Sequence, residues 1–337
     1  MKAAVFVKKQ SIVYEEEYKD PRLRKDGIII KVECCAICGS DLDAYKYETI
    51  PPPVVLGHEF SGFISEIGEK VEGWKIGDRV IVRPHIRCNK CYYCKNGLSN
   101  LCVNSGGIGM TQDGGFAEYV KVPLKNHDVF KIPNNIGFDY AALIETYAIT
   151  HHALKLSQIG KNDIMVIIGA GAIGLFTLLR AKQLEVENVI IIEPNKYNQA
   201  KAKEIGADYV FNPDDFYEIK RLTKNIGADY VFECVGLPQT YIQAINLVRK
   251  AGTVILIGLY DKSFEFSFFP MMLKELTLKT ITSTLAEDMQ EIISILNEKK
   301  VNLDPFITKY IQLKDLNNAF KWLCSPEREA IKVMVKI

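Results

Sequence analysis

The sequence predicts an α/β fold, a doubly wound parallel sheet joined to a β-rich, barrel-like domain. Up to about residue 150, segments 3–7, 27–32, 59–67 and 79–82 alternate apolar and polar positions between Gly, Pro and Asp, the pattern of half-buried antiparallel strands. Beyond that point apolar runs at 164–168, 189–192, 209–211, 230–232 and 253–257 alternate with helix-length stretches, which implies βαβ units and a parallel sheet. A glycine-rich turn at 169–174 joins the first of these runs directly to a helix.

The helices have readable ends. Segment 172–183 opens from the glycine turn, 198–205 stops at Gly206, 240–248 ends before Gly252, and 286–296 follows Leu285. Residues 329–337 return to strand texture, so the tail is expected to rejoin the first domain. The expected division is residues 1–148 with 286–337 for the β-rich domain and 149–285 for the parallel sheet. A chain of 337 residues accommodates two domains at ~150 residues each.

Composition narrows the function classes. Lys plus Arg total 42 against 41 Asp plus Glu, a net charge of +1, so no excess field exists to collect nucleic acid or an anionic membrane. The apolar content of 48% and charged content of 25% are those of a folded globular chain. The N-terminal apolar run is too short for a secretory signal, and the most apolar stretch, 164–179, is cut by three glycines short of the ~20 residues that a bilayer span needs. A cytoplasmic protein is expected, in which nine cysteines are thiols or metal ligands rather than disulfides.

Four of those cysteines, Cys88, Cys91, Cys94 and Cys102, follow one another as C-x2-C-x2-C-x7-C in a turn-rich segment. Four thiolates close a tetrahedron around Zn²⁺ and leave no open position, which makes such a site structural. Arg87, Lys90 and Lys95 would offset its negative charge. An iron–sulfur cluster or four unrelated buried thiols is the alternative that the spacing leaves open. A second set, Cys38, His58, Glu59 and Glu145, is scattered, and each member alone is more often an ordinary polar residue. Together they meet the minimum for a catalytic zinc with one exchangeable position.

The turn Gly169, Ala170, Gly171, Ala172, Ile173, Gly174 fits a dinucleotide fingerprint: a tight turn at the first glycine, backbone approach to pyrophosphate at the second, close helix packing at the third. Glu193, nineteen residues after Gly174, ends the next strand, where a carboxylate accepts hydrogen bonds from ribose hydroxyls and repels a 2′-phosphate. NAD is therefore expected in preference to NADP. The plainer reading of Glu193 is a solvated strand end.

In this order the motifs CGSD, GHEFSG, GDRV, the four-cysteine lobe, GGFAEY, GAGAIG and ECVG resemble the zinc-dependent alcohol dehydrogenases of the medium-chain dehydrogenase/reductase family, over essentially the whole chain. The resemblance implies a GroES-like catalytic domain holding both zincs and a Rossmann domain holding NAD, with Val235, Ile257 and Leu259 lining the cofactor site. Glu145, where the best-known alcohol dehydrogenases carry cysteine, is similar to the sorbitol, butanediol, threonine and sugar-alcohol-phosphate branch. Cys38, His58 and Glu145 are then the permanent catalytic ligands and Glu59 a transient one. Adjacent strand residues point to opposite faces, so His58 and Glu59 reach one metal only if the backbone there is irregular.

The implied reaction is reversible oxidation of a secondary alcohol or polyol to the ketone, hydride passing from the carbinol carbon to the nicotinamide. Ser40 would accept the alcohol proton by hydrogen bond. Relatives commonly end this relay with a His at the position of Asp43, and Asp titrates at ~3.9 against ~6.5 for His. A shifted Asp43, ribose hydroxyls with water, or another group would serve as the exit. Further departures are Asn198 where relatives place Arg or Lys near the adenine, and Thr146 and Tyr147 after Glu145, which would alter the pocket floor.

A sugar-alcohol-phosphate dehydrogenase is the alternative, and it needs a cationic pocket for which Arg83 and Lys274 are available. A nonenzymatic zinc- and dinucleotide-binding protein is opposed by retention of Cys38, Ser40, His58 and Glu145. A homo-oligomer, dimer or tetramer, is expected from the family. Segment 253–257 and the strand-like stretch carrying Phe264, Phe266 and Phe268 on one face are the candidate contact surfaces.

Overall fold

The computed structural model describes residues 1–104, 106–298, 301–325 and 328–337. The chain divides into two compact units, Met1–Glu145 with Ser283–Ile337, and Thr146–Thr282. The joints fall at 145/146 and 282/283, against the expected 148/149 and 285/286.

The first unit is built on a seven-stranded sheet. Its order runs Ile307–Gln312, Lys332–Lys336, Gly27–Ala36, Glu59–Ile67, Arg79–Arg83, Asp128–Lys131, with Tyr119–Pro123 also pairing with Gly27–Ala36. A three-stranded sheet, Ser11–Glu15, Ala3–Lys8 and Val54–Val55, lies beside it. Alternation in the long strand Gly27–Ala36 sends Ile28, Ile30 and Val32 into one core with Phe6, Phe60, Phe116, Phe320 and Val335. Register then sets the functional end. Ala36 lies opposite both Glu59 and Met334, so the last residue of the central strand meets the first residue of one antiparallel neighbour and the middle of the other.

The second unit is a six-stranded parallel sheet in the order Tyr209–Phe211, Asn188–Ile192, Ile164–Ile168, Ala228–Glu233, Val248–Leu256, Thr277–Thr280. This is the doubly wound order 3-2-1-4-5-6, and its strands are near-continuous apolar runs because both faces are covered. Ile168 aligns with Ile192 and Glu233, and Glu233 with Leu256, so four carboxyl ends finish level. Ligands of such sheets bind outside the carboxyl ends.

Two sequence expectations are corrected here. The helix expected at 240–248 runs Pro238–Leu247, with Pro at its start and Val248 already in the next strand. The strand-like stretch around Phe264, Phe266 and Phe268 is irregular and runs into helix Phe269–Lys274. Among the described residues it pairs with no strand, and its rings pack on each other and on Tyr241 and Tyr260. No described helix is long and apolar enough to cross a membrane.

Candidate functional site

Among the described residues, two groups bring metal-capable atoms within 4.8 Å of one another: Cys88, Cys91, Cys94 and Cys102, and separately Cys38, His58 and Glu59. The first is a turn-rich lobe. Cys91 caps the short helix Tyr92–Lys95, and left-handed backbone at Asn89 and Gly97 folds the segment back on itself. Backbone N–H groups donate to sulfur along the chain, Cys88 N to Cys102 Sγ at 3.3 Å, Cys91 N to Cys88 Sγ at 3.3 Å and Cys94 N to Cys91 Sγ at 3.5 Å. Backbone donors from Cys94 and Val103 push the Cys91 thiol down to about 6. Four convergent sulfurs with amide donors fit a tetrahedral zinc. Of the cations expected to offset the lobe's charge, Arg87 gives its guanidinium to Asp128 at 2.6 Å and to Asn89.

The second group sits where three strands converge. Cys38 follows strand Gly27–Ala36 and caps helix Gly39–Tyr47, while Glu59 opens strand Glu59–Ile67. Gly57 takes φ +90°, and a Cβ there would lie 2.9 Å from Cys35 Sγ, so the chain breaks out of strand geometry just before His58. That irregularity is what lets His58 and Glu59 approach one point. Gly114 and Gly115 of the GGFAEY segment donate to Val55 O and Gly57 O and hold the break in place. Asp41 ties the arrangement together: its carboxylate accepts from Cys38 N at 2.9 Å and Gly57 N at 3.3 Å, and lies 3.5 Å from His58 Nδ1. This orients the ring and leaves Nε2 for a metal. Its role was missed in the sequence, although CGSD contained it.

Glu59 is fully buried, and both its oxygens accept from Lys332 Nζ at 2.5 Å. Glu145 stands outside the cluster but close to it. It is 6% exposed, and no described residue hydrogen-bonds its carboxylate. Burial raises its pKa to about 7, with the charge of His58 lowering it and that of Glu59 raising it. Such a carboxylate, desolvated and unpartnered, fits a cation. Ser40 lies in the first turn of helix Gly39–Tyr47 and Asp43, half-buried, one turn on; the Cys324 thiol is raised chiefly by burial, with the charge of Asp43 adding to it. His85, not singled out in the sequence, has a buried Nδ1 without a hydrogen-bond partner, and burial followed by the charge of His58 pushes it down to about 4.

In the parallel-sheet unit each glycine of the fingerprint has its own reason. Gly169 has φ +95°, and a Cβ at Gly174 would lie 1.9 Å from Gly169 O, too close for any other residue. A Cβ at Gly171 would meet nothing within 4 Å, so this position borders open space. Gly171 is also the N-cap of helix Ala172–Gln183 and supplies no side-chain cap, leaving first-turn N–H groups for an anion. Glu193 accepts from Ala170 N at 2.7 Å and Asn195 N at 2.8 Å, which ties it to the same turn. Glu233 of ECVG accepts from the N–H groups of Val235 and Gly236 and from Thr240 Oγ1, shaping the turn that carries Val235. Val235 Cγ2 lies against Gly169, and Leu259 against Gly236. Ile257 N bonds to Glu233 O, so these residues gather at the carboxyl ends. This cradle fits a dinucleotide. Asn198, in the first turn of helix Lys196–Ile205, keeps a buried Oδ1 without a partner.

Three sequence expectations about the substrate pocket are corrected. Arg83 is fully buried and gives its guanidinium to Asp128, Ser99 Oγ and Thr284 O. Lys274 donates to the carbonyls of Ile245, Asn246 and Val248, closing the end of helix Pro238–Leu247. Neither is available to a phosphate. Tyr147 is fully buried, stacked on Phe176 with its hydroxyl on Gln183 Oε1 at 2.6 Å, so it forms no pocket floor.

A six-stranded dinucleotide-binding sheet and a β unit with two convergent metal-ligand groups define a metal-dependent, dinucleotide-linked oxidoreductase. Residues 24–134 match the alcohol dehydrogenase GroES-like domain and residues 172–298 the zinc-binding dehydrogenase domain. A sorbitol dehydrogenase from Halalkalibacterium halodurans is 36% identical, over 95% of this chain and 94% of its own. An L-threonine 3-dehydrogenase from Pyrococcus abyssi is 35% identical over 98% and 99%. The crystal structure of 2R,3R-butanediol dehydrogenase from Bacillus subtilis superposes with a TM-score of 0.88 at 31% identity, covering 100% of this chain and 99% of that one. The chain belongs to the zinc-dependent alcohol dehydrogenases of the medium-chain dehydrogenase/reductase family. It is an oxidoreductase of alcohol or polyol CH–OH groups that works with zinc and a nicotinamide dinucleotide.

Proposed function

We propose that the protein oxidises an unphosphorylated secondary alcohol or vicinal polyol to the ketone, with NAD in preference to NADP. The observation that carries the substrate reading is the fate of Arg83 and Lys274, both committed to internal partners and so unable to receive a phosphate. Glu193 supports NAD: it sits on the fingerprint turn as a carboxylate, suited to ribose hydroxyls and repellent to a 2′-phosphate.

Cys38, His58 and Glu145 would hold the catalytic zinc, and Cys88, Cys91, Cys94 and Cys102 the structural one. The choice of Glu145 over Glu59 follows from charge: Lys332 already answers Glu59, whereas Glu145 is buried with no hydrogen bond to its carboxylate from a described residue. When bound, zinc supplies Lewis acidity that lowers the alcohol's pKa, and the nicotinamide accepts hydride. Asp41 fixes the His58 ring, and Ser40 Oγ accepts the alcohol proton and passes it on. The first-turn N–H groups after Gly171 bind the pyrophosphate, and Glu193 fixes the adenosine ribose.

The assembly we propose is a homo-oligomer joined through the second unit. Leu259, Phe268, Phe269, Met272 and Leu273 are all more than 60% exposed and lie close in sequence to the aromatic run, the kind of exposed apolar surface that marks an interaction site. Nine free cysteines suit a reducing cytoplasm. The experiment is NAD and NADP reduction across secondary alcohols, polyols, L-threonine and polyol phosphates, with sedimentation of the same sample. Turnover confined to phosphorylated substrates would overturn the substrate reading.

A further inference from the structure

Glu233 ends strand Ala228–Glu233 and is fully buried. Its Oε1 collects three donors: the N–H groups of Val235 and Gly236, both at 2.9 Å, and Thr240 Oγ1 at 2.7 Å. Its main-chain carbonyl accepts from Ile257 N at 2.9 Å and Gly258 N at 3.0 Å. One residue therefore holds two turns, that after its own strand through the side chain and that after Val248–Leu256 through the main chain. Oε2 has no hydrogen-bond partner among the described residues, and a Cβ on Gly258 would come within 2.6 Å of it.

The two turns also meet directly. A Cβ on Gly258 would lie 2.1 Å from Gly236 N, and one on Gly236 would lie 2.3 Å from Leu259 O, so backbone rests on backbone and neither turn shifts without the other. Tyr241, beside Thr240 on helix Pro238–Leu247, donates its hydroxyl to Gly258 O at 2.9 Å and adds a third tie. This clasp presents two exposed apolar side chains, Val235 and Leu259. Its place in the sheet says what it faces. The fingerprint turn follows Ile164–Ile168 and Glu193 follows Asn188–Ile192, whereas both turns of the clasp follow strands on the other side of Ile164–Ile168. A dinucleotide lies across the strand ends at this switch point. With its pyrophosphate at Gly171 and its adenosine ribose at Glu193, the opposite half reaches the clasp.

We infer that Glu233 is a positioning residue for the nicotinamide half of the cofactor, locking the turns that carry Val235 and Leu259 into one preformed surface. The inference rests on the reading of Glu193 and the first-turn N–H groups after Gly171 as the adenosine and pyrophosphate subsites. A carboxylate is suited to the task because hydrogen bonds to a charged acceptor are roughly twice as strong as neutral ones. Glutamine would put a neutral acceptor in place of Oε1 and a buried, unpartnered N–H beside Gly258.

The test titrates NADH and ADP-ribose, which lacks the nicotinamide ring, by calorimetry on the full-length protein. Wild type is compared with Glu233→Gln, Thr240→Val, Thr240→Ser and Glu193→Gln. Glu233→Gln is expected to weaken NADH by about tenfold or more and to leave ADP-ribose within about twofold of wild type. Thr240→Val removes one donor to Oε1 and should act in the same direction, and Thr240→Ser, which returns the hydroxyl, should restore NADH. Equal weakening of both ligands in Glu233→Gln, the mark of a merely structural role, would overturn the inference, as would unchanged affinity for NADH. Should Glu233→Gln fail to fold, the contrast between Thr240→Val and Thr240→Ser decides in its place, by the same two readings. Glu193→Gln should weaken ADP-ribose and NADH alike. If ADP-ribose ignores Glu193→Gln, the placement of the adenosine half fails and takes the inference with it; if ADP-ribose responds there while NADH ignores Glu233→Gln, the inference alone fails.

Discussion

Replacing Glu193 by Gln removes the charge assigned to the adenosine ribose while keeping the size of the side chain and one oxygen acceptor. The carboxylate is 7% exposed and already accepts from Ala170 N at 2.7 Å and Asn195 N at 2.8 Å. Each oxygen retains a second lone pair, so the pair of oxygens can take the two vicinal ribose hydroxyls. A hydrogen bond to a charged acceptor contributes about 1.5–3 kcal/mol, roughly twice that of a neutral one. Converting two charged bonds to one neutral bond and one amide contact should therefore cost about 2–3 kcal/mol, or ~30–150-fold in NADH affinity. The 2′-phosphate of NADPH loses a like-charge neighbour, so its affinity should hold or rise. Fluorescence titration of NADH and NADPH on both proteins at fixed ionic strength reads the two effects separately. A variant that binds NADH within about twofold of wild type, less than ~0.5 kcal/mol, would refute the ribose contact. Equal wild-type affinity for NADH and NADPH would refute the preference.

Three further outcomes are expected. Gly174→Ala places a Cβ 1.9 Å from Gly169 O and should destabilise the protein by about 1–3 kcal/mol, whereas Gly171→Ala faces open space and should leave the thermal midpoint unchanged while weakening NADH; equal melting shifts would contradict the division of roles. Cys88→Ser should lose one zinc and destabilise the lobe, and Cys38→Ser should lose turnover with the fold retained, as metal analysis and circular dichroism would register; equal loss of fold in both would contradict separate structural and catalytic sites. His127, 1% exposed, is pushed down to about 4 by burial, which outweighs a hydrogen bond with the Arg83 backbone that raises it, while the charges of Arg83 and Arg87 lower it further. The folded imidazole thus stays neutral to about pH 4 while the unfolded one takes a proton at ~6.5, so the unfolded state binds more protons between these values. Stability should fall as pH drops through that window, by up to about 3 kcal/mol from this group, and His127→Gln should flatten the decline in urea midpoints measured from pH 7 to pH 5. An unchanged slope would exclude His127 as its source.

What could be read in the sequence was local. The glycines of the fingerprint answer to backbone geometry within six residues, and the four cysteines to a lobe of fifteen, so spacing alone conveys their arrangement. The parallel strands were legible because both faces are buried and their apolar runs are uninterrupted. What depends on distant partners was not legible. The pairing of Glu59 with Lys332 joins opposite ends of the chain, and Arg83 looked free because Asp128 and Thr284 lie 45 and 201 residues away. The hydroxyl of Tyr147 is taken by Gln183 on another helix. Alternating phenylalanines after residue 260 had strand periodicity but no neighbouring strand, and periodicity without a partner does not make a sheet. At His58 and Glu59 strand alternation argued against a shared metal until Gly57 supplied the break.

Zinc content per chain, measured alongside NAD reduction on a secondary alcohol and polyol panel for wild type and Cys38→Ser, tests the central claim most directly. The account predicts two zincs and NAD-linked turnover in wild type, with one zinc and no turnover in the variant. Two zincs retained in Cys38→Ser, or turnover that survives it, would contradict the catalytic metal site on which the account rests.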